Sequence, residues 1–149
     1  MLTTSLKTVV HAQLDTVWNL LLDRIEHPQL YDSRVNESRV LERFPDGVIR
    51  EMRMDGLLIR ERITVEDEHW TIHSELLEHP DYVGTIDTQV LGTSTQNPMA
   101  PLHLDIKLML EMKEGHREGT VRPDQFLEDS FNDELERIKR KAEELEKVA

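Results

Sequence analysis

The chain of 149 residues contains no cysteine. That excludes a disulfide framework, a cysteine-ligated zinc or iron–sulfur site and a thiol nucleophile. Aromatic residues are few: two Trp, two Tyr and three Phe. Positive charge is short as well, with 18 Lys plus Arg against 30 Asp plus Glu, a formal net charge of −12. A surface so acidic repels phosphate backbones and anionic lipid, so neither nucleic acid nor a membrane surface is an expected partner. No apolar run approaches the roughly 18 residues needed to cross a bilayer. The start, Met1 to Lys7, lacks a basic stretch followed by an apolar core, so no signal peptide is expected and the cytoplasm is the default location.

Chemical signatures are equally scarce. Seven histidines are present without a His-Glu-x-x-His pair or another compact ligand set, so no metal and no cofactor is expected. There is no Gly-x-Ser-x-Gly elbow, phosphate-binding glycine loop or dinucleotide fingerprint. His69 and His73 lie four apart on an expected strand, on its outer face. The residues give no positive sign of catalysis.

What is present is patterning. Residues 2–10 alternate as a strand, with Leu2, Thr4, Leu6, Thr8 and Val10 on one face. Asp15 to Ile25 starts with a capping residue and continues at helical spacing, and Pro28 opens a short second helix through Tyr31. Six strands are expected at 36–44, 48–54, 57–65, 70–77, 82–91 and 102–112. The connector 92–101 reads as plain loop. From about Pro123 to Val148 one helix carries a stripe of Leu127, Phe131, Leu135, Ile138, Ala142 and Leu145 on an otherwise charged surface. That stripe is about 27 Å long at helical rise, enough to cover the single apolar face of a curled meander. Residues 1–149 therefore read as one α+β domain. A curved antiparallel seven-stranded sheet, in the order β-α-α-β6-α, wraps a long C-terminal helix.

Turn chemistry sets register. Asp55-Gly56 suits a two-residue type I′ hairpin, which pairs Met54 with Leu57, Met52 with Ile59, Arg50 with Glu61 and Val48 with Ile63. Pro45-Asp46-Gly47 suits a three-residue loop with Gly47 left-handed, which places Glu42 opposite Arg50. With 66–69 as the next loop, Ser74 falls opposite Glu61, and Trp70, Ile72 and Leu76 share its face. The result is a row of Glu42, Arg50, Glu61 and Ser74 on an apolar inner face. It is either a satisfied salt-bridge row or the polar anchor of a cavity, because charges buried without partners are costly. Met52 and Met54 beside it suit either core filling or a cavity wall.

Several stretches carry a resemblance. The element order, Val9-Val10-His11-Ala12 leading into Asp15-x-x-Trp18, and the long terminal helix resemble the SRPBCC superfamily. This is the helix-grip fold of START lipid-transfer domains, the birch pollen allergen Bet v 1 and bacterial polyketide cyclases. His27-Pro28-Gln29, residues 38–43, residues 47–52 and residues 59–63 further resemble its AtaL-like branch, which has no settled function. The resemblance implies a large, mostly apolar cavity between sheet and terminal helix.

The leading expectation is a non-enzymatic binder of a small hydrophobic molecule: a lipid, polyketide or aromatic metabolite. The ligand would lie between Met52, Met54, Ile59, Ile72, Leu104, Ile106 and Leu108 of the strands and Leu127, Phe131 and Leu135 of the helix, its polar group meeting Arg50 and Glu61. A second reading is a cyclase or aromatase that folds a polyketide-like substrate against these walls. A third is a protein-interaction domain, with a homodimer through the exposed sheet edge or the acidic helix.

Overall fold

A computed structural model describes residues 2–92, 101–113 and 123–148. Thr- and Val-rich β1 (Leu2–Val10) is followed by α1 (Leu14–Glu26) and a 3₁₀ turn over Pro28–Leu30. Six strands follow: β2 (Val35–Phe44), β3 (Gly47–Met54), β4 (Leu57–Glu66), β5 (Thr71–Glu78), β6 (Tyr82–Gly92) and β7 (Leu102–Met112). The chain closes with α2 (Pro123–Val148). Each expected strand is found within a residue of its bounds. All pairings are antiparallel, and the open sheet runs β1-β7-β6-β5-β4-β3-β2. The first strand thus pairs with the last, and the architecture is the expected helix-grip α+β fold. Residues 93–100 of the connector lie outside the described residues, as do Gly115 and Gly119.

The start of α1 differs from its sequence reading. Gln13, not Asp15, is the N-cap residue, and its side chain makes no cap bond. The cap comes from the other helix: Glu146 Oε1 accepts from the Gln13 N–H at 2.9 Å and from Thr16 Oγ1 at 2.8 Å. A carboxylate at a helix N-terminus satisfies orphan donors and complements the dipole. That contact is one of the ties between the two helices.

The hairpins decide what faces inward. Asp55 and Gly56 take φ 49° and 82°, as a type I′ turn requires, and β3–β4 register follows the expected count throughout. The preceding turn departs from expectation. Phe44 pairs with Gly47, so the loop is Pro45-Asp46 alone, and Gly47 is not left-handed. Its reason for being glycine is steric: an added Cβ would stand 1.8 Å from the Ile63 carbonyl oxygen. A bulge between Val40 and Glu42 then puts Val40 opposite Arg50. Between β4 and β5 the loop is 67–70. Trp70 is left-handed at φ 49°, so it leaves the strand face it was assigned and packs edge-on to Trp18. His69 falls in that turn, not on a strand.

The interior divides along α2. Leu135, Ile138 and Ala142 pack solidly with Leu104, Ile106 and Leu108 of β7 and with Val17 and Leu21 of α1, all essentially inaccessible. Leu145 is 51% exposed, so the apolar stripe ends at Ala142. Toward the other end of α2, Leu127 and Phe131 face a hollow.

Candidate functional site

The hollow is a cavity of about 190 Å³ between the sheet and α2. One water needs roughly 10–15 Å³ of such space, so the volume is an order of magnitude larger than that. Of the residues expected at a binding site, it is lined by Arg50, Met52, Met54, Ile59, Glu61, Ile72, Ser74, Leu127 and Phe131. Five do not line it. Glu42 is exposed, because the two-residue Pro45-Asp46 turn pairs it with Ile49 and so turns it away from the row it was expected to join. Leu104, Ile106, Leu108 and Leu135 belong to the packed half, where the helix stripe closes directly on β7.

The polar row survives in altered form. Arg50 and Glu61 are cross-strand partners and both are buried. Arg50 Nη2 donates to Glu61 Oε1 at 2.9 Å. Ser74 pairs with Ile63 and not with Glu61, yet its hydroxyl reaches Glu61 Oε2 at 2.5 Å across the diagonal. Arg50 Nη1 donates to the carbonyls of Arg24 and Ile25, both at 3.1 Å. These are last-turn carbonyls of α1, which lack helical partners and carry the negative end of its dipole. Arg50 Nε–H is buried with no partner. For Glu61, burial pushes the carboxyl up, but the Arg50 charge and the bonds from Ser74 and Arg50 outweigh it, with a further pull from Arg24. The net effect holds Glu61 below the usual carboxylate range.

The sequence reading missed a second layer of polar groups, contributed by the helices and the β5–β6 corner. Arg24 of α1 donates to Glu134 Oε1 of α2 and to Thr88 Oγ1 of β6, both at 3.1 Å. Burial pushes the Glu134 carboxyl above its ordinary range, against the pull of Arg24. Arg34 pairs with Asp32 at 2.6 Å. His79 Nδ1 accepts from the backbone N–H groups of Asp81 and Tyr82 at 3.0 and 3.2 Å. That arrangement requires Nδ1 unprotonated, and burial likewise lowers the His79 pKa, so a neutral imidazole faces the cavity. Helical spacing alone could have flagged Glu134, which sits three residues after Phe131 and seven after Leu127. Arg24 and His79 had no such signal, because neither lies on an apolar repeat.

Among the described residues, no group of three or more His, Asp or Glu could hold a metal ion. No described helix is long and apolar enough to cross a membrane.

No family model matches the sequence, and no curated protein matches it. Solved structures do. The Zhui aromatase/cyclase of a Streptomyces species is similar at a TM-score of 0.79 and 14% identity, over 95% of this chain and 93% of that one. The protein XoxI from Bacillus cereus is similar at 0.75 and 18%, over 98% and 99%. A START superfamily protein from Mycobacterium smegmatis is similar at 0.73 and 14%, over 96% and 98%. Whole-chain likeness of this kind, with the seven-stranded sheet closed on its terminal helix, shows that the protein has the helix-grip fold of START-type proteins.

Proposed function

We propose that residues 1–149 form one binding domain for a small hydrophobic molecule, held in the cavity between sheet and α2 with its polar group at Arg50. The observation that carries this reading is the buried Nε–H of Arg50, a donor without a partner on a side chain that lines a void together with Met52, Met54, Ile59, Ile72, Leu127 and Phe131. Buried donors are almost always satisfied, and mostly apolar cavities with a few placed polar groups are the usual form of a small-molecule site. The guanidinium is fixed by Glu61 and by the end of α1, so it is preorganised rather than free to swing.

Native mass spectrometry of freshly purified protein, followed by organic extraction, tests this. The expected result is a defined extra mass that leaves on denaturation, together with saturable binding of the neutral fluorophore N-phenyl-1-naphthylamine. A bare chain that also excludes the fluorophore overturns it.

Likeness to an aromatase/cyclase favours one alternative, turnover of a polyketide-like substrate in the same cavity. Glu61, held ionised, is unsuited to be the acid of such a reaction, whereas Glu134 has the raised pKa that a proton donor needs. Turnover that is lost in Glu134→Gln while fluorophore binding persists would establish the enzyme reading.

A further inference from the structure

We infer that the cavity selects an uncharged apolar molecule bearing a carbonyl-type acceptor oxygen and discriminates against the corresponding carboxylate. This rests on the binding reading above and names its ligand class.

The argument is one of charge matching. Among the described residues three arginines line the cavity, and each is already paired with a lining carboxylate: Arg24 with Glu134 at 3.1 Å, Arg34 with Asp32 at 2.6 Å and Arg50 with Glu61 at 2.9 Å. Two more carboxylates, Asp55 and Asp81, bring the described lining to five acids and three arginines. His79 adds no positive charge, since its Nδ1 accepts two backbone N–H groups. An entering carboxylate would therefore meet no uncompensated cation among the described lining residues. It would have to break an existing pair, stranding a buried charge, or remain unpaired itself, and both are costly.

A cation fares no better at the anchor. Both oxygens of Glu61 are engaged, one by Arg50 and one by Ser74. What the buried row leaves open is one N–H, on Arg50 Nε. One donor matches one acceptor lone pair on a neutral oxygen. A neighbouring surface has the same bias. A polar depression beside the cavity shares Asp32, Arg34 and Glu134 with it and adds Asp129, Asp133 and Arg137, so acids again outnumber bases. Anions are disfavoured there as well.

Three naphthalenes of one shape separate the possibilities: 2-ethylnaphthalene, 2-acetylnaphthalene and 2-naphthoate, each titrated at pH 7.5 against bound N-phenyl-1-naphthylamine. The acetyl compound is expected to bind at least tenfold tighter than the naphthoate. It should also bind no weaker than the ethyl compound, although the latter is more apolar. In Glu61→Gln, which removes the counter-charge of Arg50, the naphthoate is expected to gain at least tenfold relative to the acetyl compound. Equal or tighter binding of naphthoate by the unmodified protein overturns the inference and leaves the binding reading standing. So does failure of the acetyl compound to displace the bound fluorophore. If the fluorophore itself does not bind, the binding reading falls and the inference with it. Should Glu61→Gln not fold, the ranking in the unmodified protein decides.

Discussion

Arg50 and Glu61 face each other across β3 and β4 at 2.9 Å, and Arg50 also joins that pair to the last carbonyls of α1. One side chain therefore ties a sheet strand to a helix end, lines the cavity and keeps one N–H, on Nε, buried without a partner. Buried ion pairs are poor stabilisers compared with apolar packing, but half of one is worse than none.

This sets a clear expectation for Arg50→Met. Glu61 is left as a buried carboxylate with Ser74 as its remaining hydrogen-bond partner and the more distant Arg24 charge, and two α1 carbonyls lose their donor. The loss should be about 3–5 kcal/mol in urea denaturation. Replacing both partners, Arg50→Met with Glu61→Leu, should recover more than half of that, since no buried charge remains. Equal losses in the single and double variants would show that the helix carbonyls, not the ion pair, dominate.

The two carboxylates of the site respond to pH in opposite senses. The folded-state pKa of Glu61 is depressed, so its stabilising contribution is present above the ordinary carboxylate value and is lost as pH falls through the lowered one. The folded-state pKa of Glu134 is raised by burial, so its contribution is full in acid and declines as pH rises above the ordinary value. Glu134→Gln should therefore gain stability relative to the unmodified protein between pH 5 and pH 8, as read by urea midpoints. Glu61→Gln should flatten the acid limb below pH 4.5. A constant difference for Glu134→Gln across that span would show that the carboxyl ionises as if in water.

Strand positions and the Arg50–Glu61 pair were legible because Asp55-Gly56 admits only one register. Glu42 was misplaced because a proline-containing turn can close in two or three residues, and the two-residue closure pairs it with Ile49; the bulge at Leu41 then shifts only the residues before it. No local pattern distinguishes those cases. Ser74 came to Glu61 despite a two-residue error in pairing, because a hydroxyl can reach diagonally. The division of α2 into a packed and a hollow half was not legible at all. Leu127 and Leu135 are identical residues on one stripe, and only the spacing between sheet and helix separates their surroundings.

The two hairpin glycines should fail differently on replacement by alanine. Gly47→Ala drives a Cβ into the Ile63 carbonyl and must spread β3 from β4, at a cost of about 3 kcal/mol. Gly56 has open space around it but a φ of 82°, so Gly56→Ala incurs only backbone strain, about 1–2 kcal/mol. Gly56→Asn, which tolerates the left-handed region, should recover part of that loss, whereas Gly47→Asn should do worse than Gly47→Ala. Thermal melts of the four variants check the order, and rescue of Gly47 by asparagine would contradict the steric account.

Truncation along α2 should separate stability from binding. Leu135 is 1% exposed and packs in the solid half, so Leu135→Ala should cost about 2–5 kcal/mol while leaving fluorophore affinity within twofold. Phe131 is only partly buried and borders a void that is already open, so its removal enlarges existing space rather than creating new space. Phe131→Ala should cost about 1 kcal/mol in stability and weaken N-phenyl-1-naphthylamine binding at least fivefold. Urea midpoints and fluorophore titrations on the same two preparations give both quantities. If the two variants lose stability equally and neither changes affinity, the fluorophore does not sit under the N-terminal half of α2.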